Sequence, residues 1–232
     1  MSKEHVLAAW MLPLLRQQCD VGEVQTVKFK GDYEIKTSSI RQGHPGTIQL
    51  RHVCRTCNNT WISGIDTRAK EVLTALIQGN ACALSRRVLA GLALWACKVS
   101  MVAQSQDPQA GGVPSSHRRY LFVKRAIPPG WQVWLARNDS EKAFRSGVVY
   151  QTVDWAEPLG LTKVQTTTIC VGRALLHVFS TVEPDRPMTY HVPQLHQIWP
   201  NPQEELKWPP DVGAGDEFIY GLIIGLKETI VI

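Results

Sequence analysis

Little in this sequence points to a membrane or to a nucleotide-driven enzyme. Its one extended apolar run, Val88 to Ala103, falls short of the roughly 20 residues that span a bilayer and carries Lys98 in its interior. The run is therefore expected to be a buried helix, started by Ser85 and apolar on nearly every side. No G-x-x-x-x-G-K phosphate loop, G-x-S-x-G elbow or cysteine-protease neighbourhood occurs, so nucleotide hydrolysis and Ser or Cys acyl transfer lack their usual signatures. No N-terminal stretch combines a positive start, an apolar segment and a small-residue cleavage site, which sets the expectation of a cytoplasmic protein with reduced thiols. Internal repeats and low-complexity segments are also missing.

The chain has 232 residues, 44% of them hydrophobic, enough for a sizeable core in one large or two small domains. A formal charge of +5 is compatible with a polyanionic partner without requiring one. Of the six cysteines, Cys82, Cys97 and Cys170 stand alone in apolar surroundings and read as small buried thiols, whereas Cys54 and Cys57 are paired.

The first half suggests a short helix capped by Ser2, with Val6, Trp10 and Leu14 on one side and Pro13 ending or kinking it. A hairpin follows, Val27 to Lys30 and Tyr33 to Thr37, turning at Gly31-Asp32. A third strand, Thr47 to Val53, delivers the chain to Cys54. From Trp61 to Ile77 the apolar positions Ile62, Ile65, Ala69, Val72, Leu73 and Leu76 recur at helical spacing. Asp66 projects at the edge of that stripe, so its carboxylate points inward and needs a partner, a metal ion being one.

The polar segment Ser105 to Ser116 marks the domain boundary, giving residues 1–106 and 107–232. Beyond it, Tyr120 to Lys124, Trp131 to Ala136, Thr166 to Val171 and Ala174 to Val182 read as strands of a mainly antiparallel β region, with Trp131 and Trp134 able to share a face. The Trp-Pro elements of the tail brace a core edge more readily than they bind a ligand.

Cys54-x-x-Cys57 can offer two thiolates to one zinc from a tight turn, with Cys19, His44, His52 or another chain supplying the rest. The pair can equally be reduced and structural, or redox-active, although the βαβ setting usual for redox C-x-x-C is absent.

Glu4-His5, then Cys54-x-x-Cys57-Asn58, then a helix carrying Asp66 follow an order that resembles the HNH, or ββα-metal, nuclease superfamily. The similarity extends to HNH-like proteins of bacteria and phages with a Lys-Glu-His start, a C-x-x-C-N-x-x-W segment and late Trp-Pro elements, matched here by Lys3-Glu4-His5, Cys57-Asn58-Asn59-Thr60-Trp61 and Ile198-Trp199-Pro200. The resemblance implies an α+β protein with an HNH-like ββα-metal module, an inserted helix and hairpin, a buried helix and a mainly antiparallel β C-terminal region. It implies His5 as general base, Asn58 as brace of the motif loop, and Glu4, His5 and Asp66 as ligands of a catalytic Mg2+ or Mn2+. Structural Zn2+ on Cys54 and Cys57 is implied as well.

The expected activity is metal-dependent DNA hydrolysis, with a neutral histidine taking a proton from the attacking water. DNA would be the partner, with Arg51, Arg55, Arg118 and Arg119 as candidate phosphate contacts. The alternative is an inactive HNH-derived scaffold, a phage or mobile-element factor that binds nucleic acid, or protein through its C-terminal β region. Plain structural uses remain open: His5 as a first-turn histidine, Glu4 as a charge at a helix N-terminus, Asn58 as a cap, Asp66 as the partner of Arg68, Lys70 or a distant base, and the arginines as a solvated face.

Overall fold

The computed structural model describes residues 2–18, 23–30, 34–42, 47–105, 112–141, 144–157, 160–184 and 188–224. The fold is α+β. Helix α4 (Arg86–Gln104) runs through its middle, and Leu89, Leu92, Ala93, Ala96, Val99 and Ala103 on it are fully buried. It is the one helix among the described residues with the length and apolarity of a membrane span, and most of it is buried inside the protein. Its apolar surface is consumed by packing on α3 (Ser63–Gln78) and on a six-stranded sheet.

That sheet contains β6 (Trp131–Asn138), β7 (Ser146–Glu157), β8 (Gly160–Val171), β9 (Ala174–Thr181) and β10 (His196–Trp199), in the order β10-β6-β9-β8-β7 with antiparallel neighbours. Short β12 (Gly213–Ala214) adds to β6 in parallel. Alternation divides β6 and β9 between two cores. Trp131, Val133, Leu135, Ala174, Leu176 and Val178 face the core shared with α4. Trp134, Ala136, Leu175 and Phe179 join a second core with Ile219 and Ile223 of α6 (Asp216–Ile224). Trp131 and Trp134 are thus both buried but on opposite faces, because an odd separation along a strand reverses the side chain.

The larger core includes residues from Val6 to Ala103 and from Val113 to Trp208, so it runs across the boundary placed at residues 106 and 107. Two more strand pairs cross the molecule: β1 (Ser2–His5) with β4 (Gln49–Val53), and β5 (Cys82–Ser85) with β11 (Glu205–Trp208), both antiparallel. The expected hairpin is present as β2 (Glu23–Lys30) against β3 (Glu34–Gln42); its turn, Gly31-Asp32, lies outside the described residues.

Two elements differ from the sequence expectation. Residues Ser2–His5 form a strand, and the helix begins later, as a 3-10 turn Ala9–Met11 leading into α1 (Leu12–Gln18). The stretch read as a strand from Tyr120 to Lys124 belongs to α5 (Ser115–Lys124). Pro114 precedes that helix in an extended conformation, φ −68° and ψ 156°, the geometry of a residue outside a helix start.

Two glycines fix the C-terminal end of α3. Gly79 ends α3 at φ 76°, where its N–H reaches Leu76 O at 3.1 Å and that of Asn80 reaches Ala75 O at 2.9 Å. Gly172, at φ 57° in the β8–β9 turn, lies so close to α3 that a Cβ there would meet Ile77 O at 2.5 Å. Arg173 N donates to the same carbonyl at 3.0 Å, docking the hairpin tip on the end of α3.

Candidate functional site

Strand β1 pairs with β4 through Glu4↔Leu50 and His5↔Gln49, and β4 runs directly into helix. Cys54 is the N-cap of α2 (Arg55–Cys57), its Sγ accepting the Cys57 N–H at 3.1 Å. A π-helical turn, Asn58–Ile62, joins α2 to α3. Asn58 Nδ2 reaches back to Lys3 O and Ser2 Oγ, both at 3.0 Å, and so ties the helix start to the strand that carries Glu4 and His5. Two strands and a helix are thereby fastened into one unit.

Period two along β1 sends Glu4 and His5 to opposite faces. Glu4, 6% exposed, and Leu50 face a cavity of about 290 Å³. His5 and Gln49 face the other side of the ribbon, where the Gln49 amide donates to His5 Nε2 at 2.6 Å. His5 Nδ1 is buried with no hydrogen-bond partner among the described residues.

Asp66 does turn inward. Its Oδ1 accepts from Trp95 Nε1 at 3.0 Å, and its Oδ2 lies 3.0 Å from Lys98 Nζ. The same ammonium is 3.1 Å from Glu4 Oε1. Lys98, 1% exposed, therefore joins two carboxylates that are far apart in sequence. Burial raises the Glu4 pKa above its ordinary value; Lys98 opposes that shift and Asp66 adds to it.

Glu4 and Lys98 line the cavity together with apolar Trp61, Ile62, Met101 and Leu121, and Cys54, Cys57 and Arg118 are also part of its lining. Cys54 is exposed and Cys57 half-buried. The thiol of Cys54 is lowered by its hydrogen bonds from Cys57, and that of Cys57 is raised by the same contact and by burial. Cys97 and Cys170 are fully buried, and burial pushes the Cys170 thiol up to about 12.

The candidate phosphate contacts are distributed unevenly. Arg55 and Arg119 are exposed, on α2 and α5. Arg118, half-buried, donates from Nη2 to Gln104 Oε1, and burial lowers its pKa. The Arg51 side chain lies outside the described residues. Exposed Arg125 stacks over Trp61 at 4.3 Å and Phe122 at 4.9 Å, a cation–aromatic group the sequence alone does not reveal.

Neither expected metal fits these residues as they stand. Magnesium or manganese needs oxygens at roughly 2.0–2.2 Å, and an ion bridging Glu4 and Asp66 would overlap the Lys98 ammonium. His5 is on the wrong side of the ribbon to join them. Zinc wants four ligands where Cys54 and Cys57 supply two, and among the described residues no group of three or more His, Cys, Asp or Glu side chains is placed to hold an ion. Cys19, His44 and the His52 side chain lie outside the described residues.

The residue that sequence reasoning missed is Lys98, read there only as a charge unsuited to a membrane. The available signal was its isolation: a lysine inside an apolar helix requires a buried anion, and Asp66 was already known to point inward. The chain matches no protein-family model, no curated protein and no solved structure.

Proposed function

We propose that this chain is an HNH-derived scaffold that binds nucleic acid without cutting it. The observation that carries the reading is the Lys98 ammonium, held 3.1 Å from Glu4 and 3.0 Å from Asp66, between the two carboxylates that the HNH resemblance would make metal ligands. The strand pair followed by a helix, with Asn58 tying the helix start to β1, supports the reading. A fixed ammonium supplies positive charge there, but it cannot generate a hydroxide or accept a second ligand as a metal does. His5, engaged with Gln49 across the ribbon, is not aimed at the carboxylates.

Binding would use the arginines near the cavity. Exposed Arg55 and Arg119 present guanidinium groups for phosphate oxygens, and Arg125 with Phe122, itself 45% exposed, offers a flat surface for a base. Fluorescence anisotropy with single-stranded and duplex DNA, over a salt series, tests this directly. The double variant Arg55→Glu/Arg119→Glu should weaken binding by about ten-fold or more and reduce the salt slope by about two phosphates. Plasmid incubated with magnesium, manganese or EDTA should stay intact.

A nuclease is the second reading, favoured by the convergence of Glu4 and Asp66 from distant parts of the chain. Metal-dependent nicking that disappears in both His5→Ala and Asp66→Ala would establish it and overturn the first. Neither cleavage nor DNA binding would remove both.

A further inference from the structure

We propose that Cys54 and Cys57 form a redox-active dithiol that exchanges with a low-molecular-weight disulfide held at the adjoining cavity. The two residues bound one helical turn, with Cys54 at the N-cap and its Sγ 3.1 Å from the Cys57 N–H. The two thiols lie within hydrogen-bonding reach of each other, so the sulfurs are already neighbours of the kind a disulfide joins. The contact from a backbone N–H favours a sulfur that bears negative charge.

Accessibility assigns the roles. Cys54 is exposed and meets the incoming disulfide, while half-buried Cys57, beside Trp61, is placed to resolve the mixed disulfide. Both line the cavity of about 290 Å³, whose Trp61 and Leu121 walls and Arg118 suit one arm of a small disulfide bearing a carboxylate.

In the first step the Cys54 thiolate attacks one sulfur of the bound disulfide. That S–S bond breaks, and the departing sulfur leaves with the electron pair and takes a proton from water. Cys57 then gives its proton to water and its sulfur attacks Cys54 Sγ, expelling the second arm as a thiolate that is protonated in turn. Two protein thiols are oxidised to one disulfide, and one small disulfide is reduced to two thiols.

The test uses the reduced full chain, assayed for zinc, treated with EDTA and equilibrated in glutathione redox buffers. Acid quenching, alkylation and peptide mapping by mass spectrometry then locate each modified cysteine. A Cys54–Cys57 disulfide that forms and reverses with the glutathione ratio is expected in the unsubstituted protein. Cys57→Ser should trap glutathione on Cys54, and Cys54→Ser should carry about ten-fold less on Cys57. Absence of the disulfide at every ratio overturns the proposal. So does equal labelling of Cys57 in Cys54→Ser, or zinc that shields both thiols from alkylation until EDTA removes it.

Discussion

Lys98 is tolerated in a helix of apolar residues because Glu4 and Asp66 meet it there. Deleting one member of a buried ion pair leaves the others uncompensated, so Lys98→Ala should cost about 3–5 kcal/mol near neutral pH. It should also vacate the space between the carboxylates, and millimolar Mn2+ should then raise the melting temperature of Lys98→Ala but not that of the parent. Thermal unfolding with and without the ion checks both effects. Because the Glu4 pKa is already raised, the loss should shrink at acidic pH, where the unpaired carboxyl takes up a proton.

His177 titrates in the opposite sense. Its ring is fully buried between Thr168 Oγ1 at 2.9 Å and Tyr190 Oη at 3.1 Å, and burial lowers its pKa to about 4. The unfolded chain therefore binds the proton first. Stability from this residue is complete above the ordinary histidine range and falls by about 3 kcal/mol as pH drops from about 6.5 to about 4. Urea titrations of the parent and His177→Gln across that window should show the parent losing more. At this scale the sequence disclosed the inward turn of Asp66 through its helical phase, but Lys98 as its partner depends on how two helices pack.

Among elements, those governed by local periodicity were legible and those governed by distant pairing were not. The stripe from Ile65 to Leu76 and the apolar run of α4 announced their helices directly. Strand β1 was hidden because its partner β4 lies beyond α1, β2 and β3, and Ser2 imitates a helix cap. Helix α5 was hidden because Tyr120, Phe122 and Val123 favour strands locally, and the surrounding fold overrides that preference. The β8–β9 hairpin makes its own prediction. Gly172→Ala would drive a Cβ against Ile77 O at a positive φ, so the variant should lose at least about 1–3 kcal/mol in denaturant titration, more than Gly147→Ala, where the added methyl meets nothing within 4 Å.

At the scale of the molecule, continuity of the main core decides how it unfolds. Residues from both sides of the expected boundary contribute to that core, with α4 pressed on β6, β9 and β10. Near-ultraviolet circular dichroism and tryptophan fluorescence should report one coincident transition, and residues 107–232 expressed alone should not fold, since the α4-facing side of the sheet would be bare. Local patterning foretold a buried central helix and a mainly antiparallel β region. It could not foretell that the halves share an interior, because such sharing is written in contacts between remote residues.

Synthesis on the ribosome gives the strand order a further meaning. Strand β5 waits for β11, and one edge of β6 waits for β10 and β12, all supplied by residues 196–214. The nascent chain must therefore hold α4 and much of its sheet with an open edge until nearly the last strand emerges, an interval in which a chaperone's grip would matter more than for a protein that closes its halves in turn.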